Sequence, residues 1–323
     1  MSEASPEPKR FPPMRLLKIG VSVVLLAVIA VAIARTDGIA ELPSRLASID
    51  PLALVLAIGL QFGAVIVGVE RWRRLLVWQR LERPFGELVR VFLVGRFVGA
   101  FTPGTTGLDV TRAIAIGRRT GEMAKSTTAI AVEKVFGLLG LALGAIITLP
   151  LGAARFFGEG AHAMAFGAAL GSVALLGLVL RPKRLFGIAR FLPKGPRTKA
   201  EAIAERLDAE PPTFPELVLM GVLATLSHML TAACYAASGV ALHVEASIGE
   251  LIVVGFAIVA ATLLPISAGG AGVREGTAVL LLHAIGIPTG EAVLVALLGY
   301  LATQPPAIVG GLVQAFGEPA SPA

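Results

Sequence analysis

Charged residues are nearly absent from long apolar stretches of this chain and return in short clusters between them. The apolar runs cover 16–34, 52–69, 127–150, 163–180, 214–241 and 291–313. A helix that spans a bilayer needs roughly 20 mostly apolar residues, so these runs predict about six full spans. Only 15% of all residues are charged, against about 25% in an average soluble domain. We therefore expect an all-α polytopic membrane protein.

Two further apolar stretches, 88–118 and 250–286, are interrupted by Pro and Gly near their middles. Lys and Arg, which mark the cytoplasmic loops of multi-pass proteins, concentrate in 1–18, 71–90, 112–125 and 181–206. Basic segments thus flank both ends of the first interrupted stretch, whereas the loops beside the second lack Lys and Arg. We expect two opposed re-entrant helical hairpins and a cytoplasmic N-terminus. The alternative is that each interrupted stretch is a kinked full span.

The predicted organisation is a disordered cytoplasmic tail, one transmembrane domain and a second tail, at 1–14, 15–315 and 316–323. Within the domain we expect an inverted repeat, with one copy at about 52–150 and the other at about 214–313. The first run, 16–34, follows basic residues as the core of a signal peptide does. Its length of 19 residues exceeds the roughly 7–15 of a cleaved core, so we expect a retained first span.

The two interruptions share one pattern of residues. The first reads Thr102-Pro103-Gly104-Thr105-Thr106-Gly107-Leu108-Asp109, and the second reads Ser267-Ala268-Gly269-Gly270-Ala271-Gly272-Val273-Arg274. Both have a hydroxyl, a small residue or Pro, Gly, two small residues, Gly, an aliphatic residue and a charge. Each lies between two predicted full spans. Paired broken elements in an inverted repeat indicate a transport site near the bilayer midplane.

The breaks also predict the chemistry of that site. Backbone amides cannot stay unpaired in lipid, so a break at depth must line an enclosed or water-filled cavity. The restarting helices direct their N-termini into it, and helix N-termini bind anions, while glycine permits close approach of a ligand. The predicted substrate-binding residues of the breaks are Thr102, Gly104, Gly107, Ser267, Gly269 and Gly272.

One arginine lies just inside each restarting helix, Arg112 in the first and Arg274 in the second. A charge at membrane depth costs on the order of 3 kcal/mol, so Arg274, far from either basic loop, indicates a function. Arginine binds phosphate through paired hydrogen bonds. Arg96, near the tip of the first hairpin, is a third candidate phosphate partner.

Internal ion pairs are the alternative explanation of these arginines. Arg112 can pair with Asp109 one turn away, and Arg274 can pair with Glu275 or Glu133. Such pairs are compatible with a gating role. The predicted charge partners or gating residues are Asp109, Glu133, Lys134 and Glu275.

Three short motifs in order resemble the lysylphosphatidylglycerol synthase transmembrane, or flippase-like, domain family. They are Pro103-Gly104-x-x-Gly107-x-Asp109-x-x-Arg112-Ala113, Glu133-Lys134 and Leu264-Pro265-x-Ser267-x-Gly269-Gly270-x-Gly272-Val273-Arg274-Glu275. The resemblance covers roughly 15–315 and implies a bacterial inner-membrane protein related to the lipid-translocating half of the multiple peptide resistance factor. The synthase activity of that protein belongs to a soluble domain, so we expect no enzyme here. Thr105-Thr106 replaces an Arg-Leu pair frequent in the family, which removes one possible headgroup contact.

We therefore expect a lipid flippase-like transporter of a phosphate-bearing lipid or lipid-linked substrate. No metal-ligand spacing, cofactor motif or catalytic set is present, and the net charge of +6 comes from basic loops rather than a nucleic acid-binding module. The alternatives are a secondary transporter of a small anion and a non-transporting scaffold for lipid- or glycan-synthesis enzymes of the envelope. A homo-oligomer is compatible with any of the three.

Cysteine accessibility tests the opposed hairpins. In a Cys234→Ser background, single cysteines at 118–125 should react with an impermeant reagent only from inside the cell. Single cysteines at 287–290 should react only from outside, because the two loops flank hairpins that enter from opposite sides. Labelling of both loops from the same side would contradict the inverted repeat.

Overall fold

The computed structural model contains helices and no strands in the part of the chain that it describes. The described residues are 47–102, 105–180, 197–198, 201, 204–205, 213–263, 267 and 270–316. The predicted first span, 16–34, and both predicted tails except residue 316 lie outside them. So do most of the basic segment 181–206 and the predicted site residues Gly104 and Gly269.

The first half of the described chain contains five longer helices. They are α1 (Pro51–Trp78), α2 (Phe85–Ala100), α3 (Thr106–Thr120), α4 (Met123–Ile147) and α5 (Gly160–Leu180). A π-helical turn and a one-turn helix, Leu149–Ala153 and Ala154–Phe157, join α4 to α5. The second half contains α6 (Phe214–Ala241), α7 (Ile248–Leu263), α8 (Val273–Ala284), α9 (Thr289–Ala302) and α10 (Pro305–Phe316).

Local sequence signals set several of these helix ends. The Asp50 carboxylate accepts a hydrogen bond from the Leu52 amide at 2.8 Å and caps the start of α1, as an N-cap acid does. Helix α3 ends at Gly121, whose φ of 72° lies in the left-handed region that favours glycine. Thr213 and Glu216 form a capping box at the start of α6. These signals fix where long apolar helices begin and end.

Four segments are long and apolar enough to cross a membrane, namely α1, α4, α6 and the stretch Thr289–Phe316 that comprises α9 and α10. Helix α5 covers the predicted run 163–180, but its described apolar part, Gly160–Ala174, is shorter. A polytopic α-helical membrane protein is therefore supported, and the count of six full spans stays a prediction. So does the entry of the two hairpins from opposite sides.

Both interrupted stretches form a pair of short helices that pack on each other. We name α2 with α3 the first helix pair, and α7 with α8 the second helix pair. Helices α2 and α3 have 16 and 15 residues, so at about 1.5 Å per residue each is shorter than the roughly 30 Å hydrocarbon core. Each break lies between the two helices of its pair.

Helices of the first half pack against elements of the second half. Helix α1 packs along α6 at the centre, α2 packs against α10, and α7 packs against the turn Leu149–Ala153 that follows α4. Helix α2 thus contacts a helix of the opposite half, whereas α7 contacts a turn of it. The inverted repeat stays a prediction.

Glycines permit the closest helix contacts of the core. At Gly140 in α4, a Cβ atom would lie 2.7 Å from the carbonyl carbon of Ala224 in α6. Real Cβ atoms do not approach backbone so closely, so α4 and α6 can adopt this spacing only with glycine at 140. Small residues bring membrane helices together in this way, because dispersion contacts and not solvent exclusion drive their association.

The Gly140→Ala variant should therefore lower the thermal unfolding midpoint of the purified protein in detergent. The added methyl group pushes α4 from α6, and overpacking of this kind costs about 1–3 kcal/mol. Gly137→Ala is the matched control on the same helix, because a Cβ at Gly137 meets nothing within 4 Å. Equal midpoints for the two variants would contradict the close helix contact.

Candidate functional site

Five charged side chains meet beside the first break, and we name them the first cluster. Glu133 accepts hydrogen bonds from Arg71 Nη2 at 2.9 Å and from Arg112 Nη1 at 2.7 Å. Arg112 Nη2 also donates to Asp109 Oδ1 at 2.9 Å. Lys134 Nζ lies 2.5 Å from Asp109 Oδ2. The cluster is therefore one continuous network of ion pairs.

Three helices supply the first cluster. Arg71 comes from the second half of α1, Asp109 and Arg112 lie one turn apart near the start of α3, and Glu133 and Lys134 lie in α4. Arg112 is 3% exposed and Glu133 is 5% exposed. With so little water to replace either partner, loss of one would leave the other as an uncompensated buried charge.

Two aromatic rings make cation–π contacts with the Arg112 guanidinium. Its Cζ atom lies 5.1 Å from the centroid of the Trp72 ring and 4.9 Å from that of the Phe92 ring. Cations within about 6 Å of a ring centroid are attracted by the ring quadrupole. Arg112 is therefore oriented both by carboxylates and by two rings, one on α1 and one on α2.

Threonine hydroxyl groups on both sides of the first break form hydrogen bonds with neighbouring backbone and side-chain groups. Thr102 Oγ1 accepts a hydrogen bond from the Gly107 amide at 2.9 Å and donates one to the Gly99 carbonyl at 3.2 Å. Thr105 Oγ1 donates to Asp109 at 2.9 Å and accepts from Lys134 at 2.9 Å. The Gly107 amide, predicted to face a ligand, is thus bound by Thr102 in this conformation.

Beside the second break, Arg274, Glu275 and Tyr300 form what we name the second cluster. Glu275 Oε1 accepts from Arg274 Nε at 3.0 Å and from Arg274 Nη2 at 2.5 Å. Glu275 Oε2 accepts from the Gly272 amide at 2.7 Å. The guanidinium lies over the Tyr300 ring, with Cζ 3.9 Å from the centroid. Arg274 is 5% exposed and Glu275 is 1% exposed, so this pair is more enclosed than the first cluster.

Arg96 connects the first helix pair to the last two helices. Its Nη2 atom donates to the Thr303 carbonyl at 3.1 Å. The Thr303 carbonyl lies in the break between α9 and α10. In a continuous helix it would accept a hydrogen bond from the Ala307 amide, but that amide donates to the Gln304 carbonyl at 2.8 Å. An arginine of the first half is therefore bound to the backbone between the last two helices.

Ser267 is the described hydroxyl of the second break. It is buried, and its Oγ atom has no hydrogen-bond partner. A buried hydroxyl without a partner carries a desolvation cost, so it is a group that a bound ligand can satisfy. The substrate-binding role of Ser267 stays a prediction, and the Thr102 hydroxyl differs from it because it is bound to backbone groups.

The structure brings the predicted residues together in two separate groups. Arg112 pairs with Asp109, and Arg274 pairs with Glu275, as the ion-pair interpretation of the sequence described. Glu133 binds Arg112 and Arg71 rather than Arg274. The two arginines share no partner, so a phosphate held by both at once requires a rearrangement of these pairs.

Sequence reasoning missed Arg71 by counting it among the basic residues of a loop. Helix α1 continues to Trp78, and the buried positions Gly68, Arg71 and Leu75 recur at helical spacing on one face. Extending the helical period past the apolar run would have placed Arg71 on that face. Its neighbours Arg73 and Arg74 pair with Glu70 on a more exposed side. No comparable sequence pattern indicates Tyr300 as a residue of the site.

A sequence model described as lysylphosphatidylglycerol synthase TM region matches residues 15–310 of this chain. No curated protein is a significant match to it. Among the described residues, no group of three or more His, Cys, Asp or Glu side chains is arranged to hold a metal ion.

The Glu133→Gln variant should strongly destabilise the protein. Without the carboxylate, Arg71 and Arg112 become buried charges that share a neutral amide, and breaking a buried pair costs about 3–5 kcal/mol. Glu122→Gln is the matched control, because Glu122 pairs with Lys125 at a more exposed position, where such pairs are worth about 0–1 kcal/mol. Thermal unfolding midpoints in detergent compare the two, and equal shifts would contradict the structural role of Glu133.

Proposed function

This chain belongs to the family of lysylphosphatidylglycerol synthase transmembrane regions, and we propose that it is a flippase-like transporter that moves a phosphate-bearing lipid across the bacterial inner membrane. The family ties the chain to membrane lipid metabolism. The name of the family describes a synthase, and we assign no synthase chemistry to the two clusters. The proposal concerns movement of the lipid and not its synthesis.

The observation that carries the proposal is the composition of the first cluster. It holds three cations, Arg71, Arg112 and Lys134, against two carboxylates, Asp109 and Glu133. Ionisable groups within membrane segments are expensive and mark substrate or ion pathways. A buried group with an excess of positive charge is suited to an anion, and a lipid phosphate is the anion that already lies in the membrane.

The breaks explain how a headgroup can reach this depth. Non-helical backbone inside a membrane has to face protein or a water-filled cavity, and in this proposal each break would face a polar path for the headgroup. The headgroup would pass along the two breaks while the acyl or isoprenoid chains stay in lipid. The first cluster and the second cluster are then two successive positions for the phosphate.

In the proposed mechanism the carboxylates hold the arginines whenever no phosphate is bound. Glu133 holds Arg112, and Glu275 holds Arg274, through hydrogen bonds of 2.5 to 3.0 Å. A phosphate that binds either arginine has to replace part of this contact. Exchange of partners would then couple arrival of the headgroup to movement of the helix that carries the arginine, which is the gating role predicted for these acids.

Removal of the second pair should slow lipid movement. Arg274→Ala alone leaves Glu275 buried with a charge, so the test uses the double variant Arg274→Ala with Glu275→Gln, which removes the pair without changing the net charge. A charge-assisted hydrogen bond contributes about 1.5–3 kcal/mol, so we expect translocation to slow at least roughly tenfold. The assay measures quenching of tail-labelled phosphatidylglycerol in proteoliposomes by a membrane-impermeant reductant.

The matched control is Arg74→Ala, since Arg74 is an exposed arginine that pairs with Glu70 outside both clusters. This variant should translocate the labelled lipid at the wild-type rate. Equal amounts of folded protein in the vesicles, checked by size-exclusion chromatography before reconstitution, are required for each comparison. Wild-type translocation by the double variant would overturn the role of the second cluster.

A further inference from the structure

We infer that Arg96 is a positioning residue that couples the first helix pair to the second cluster. It does so by holding the break between α9 and α10, and that break sets where the Tyr300 ring lies against Arg274. The inference goes beyond the proposed function, because the coupling links the two halves whichever substrate the chain moves. It gives Arg96 a role that needs no contact with the substrate.

The break between α9 and α10 leaves backbone carbonyl groups without their usual helical donors. Pro305 and Pro306 have no amide hydrogen, so neither can donate to the carbonyl four residues before it. The Thr303 carbonyl loses its helical donor as well, because the Ala307 amide donates to Gln304. Thr303 is only 7% exposed, and a buried carbonyl needs a replacement partner.

Helix α2 supplies that partner and lies directly on α10. The Arg96 Nη2 atom donates to the Thr303 carbonyl at 3.1 Å. Beyond the break, a Cβ atom at Gly310 would overlap the Leu93 carbonyl, so α10 can approach α2 this closely only with glycine at 310. Helix α2 therefore contacts α10 and, through Arg96, also holds the break that precedes it.

The residues of this break hold the backbone of Tyr300 in turn. The Tyr300 carbonyl accepts hydrogen bonds from the Thr303 amide at 3.0 Å, from Thr303 Oγ1 at 2.7 Å and from Gln304 Nε2 at 3.2 Å. The Tyr300 ring lies over the Arg274 guanidinium. Because Thr303 is bound both to Arg96 and to Tyr300, a change in α2 reaches the ring through a single residue.

Helix α2 also contacts the first cluster. The Phe92 ring centroid lies 4.9 Å from Arg112 Cζ, and Phe92 precedes Arg96 by four positions. Residues at this spacing are neighbours on one face of a helix. Coupling between distant sites is carried by packed side chains, hydrogen bonds and rigid helices, and α2 provides all three between the two clusters.

The competing explanation is that α6 alone positions Tyr300. A Cβ atom at Gly299 would overlap the Tyr235 ring of α6, so α9 lies against α6 immediately before Tyr300. If this contact were enough to fix the ring, loss of Arg96 would have no effect on the second cluster. The experiment therefore has to report on the Tyr300 ring itself.

Fluorine NMR of the purified chain, labelled with 3-fluorotyrosine in detergent micelles, reports on that ring. The chain has two tyrosines, Tyr235 and Tyr300, so the Tyr235→Phe variant assigns both resonances. The double variant Arg274→Ala with Glu275→Gln gives the position of the Tyr300 resonance without the cation. Arg96→Met is the test variant, because it keeps an apolar stem and removes the donors.

We expect Arg96→Met to move the Tyr300 resonance toward its position in that double variant, because the ring leaves the roughly 6 Å range in which a cation attracts it. Arg96→Lys should restore much of the wild-type position, since an ammonium group also donates to a carbonyl. Arg119→Met is the matched control, because Arg119 also binds α2, but through Glu87 in its first turn. It should leave the Tyr300 resonance unchanged.

Straightening the break separates the hydrogen bond of Arg96 from its charge. Pro305→Ala with Pro306→Ala should restore a continuous helix, in which the Thr303 carbonyl has its own helical donor. In that background Arg96→Met should no longer move the Tyr300 resonance. A shift of the same size as in the wild-type background would mean that Arg96 acts on the ring through its charge alone, and would overturn the inference.

Two other outcomes would also overturn the coupling, namely an unchanged Tyr300 resonance in Arg96→Met and an equal shift in Arg119→Met. If Arg96→Met yields no folded protein, Arg96→Gln replaces it, because its amide lies on a shorter side chain that does not reach the Thr303 carbonyl. None of these measurements depends on lipid movement, so the coupling and the proposed transport can fail independently.

Discussion

The carboxylate of Glu133 joins three helices of the first half, since it binds Arg71 on α1 and Arg112 on α3 from its own position on α4. A charge in this environment is stable only with its partners in place. The network therefore fixes where α3 can lie relative to the two long helices beside it. The break, the aromatic contacts of Arg112 and the position of Lys134 all depend on that one geometry.

The two clusters differ in how completely their charges are balanced. The second is a neutral, enclosed pair stacked on Tyr300, whereas the first has an extra cation and an exposed end. In the proposed transport the exposed end of the first cluster would be the place of entry, because two equally enclosed sites would offer none. The two clusters thus differ in charge although each lies beside the break of its helix pair.

Features that depend on neighbouring residues could be predicted from the sequence. The interrupted stretches, the Arg112–Asp109 pair one turn apart and the adjacent Arg274–Glu275 pair follow from local spacing. Contacts between distant parts of the chain could not be predicted, because a single sequence does not reveal which helices touch. Arg71 and Glu133 are 62 positions apart. A basic residue at the end of an apolar run cannot be assigned to a buried helix face or to a loop until the helix is known to continue. The hydrogen bond from the Gly107 amide to Thr102 could not be predicted for a related reason, and the substrate-binding role of Gly107 stays a prediction.

The hydrogen bond from Arg96 to the Thr303 carbonyl joins groups that are 207 positions apart in the chain. At a synthesis rate of about 5–20 residues per second, the arginine would wait on the order of ten to forty seconds for its acceptor to leave the ribosome. During that interval α2 has neither this acceptor nor α10 to pack against. The packing of α2 thus stays incomplete until α10 has been synthesised, so the first half of the chain cannot reach its final arrangement ahead of the second.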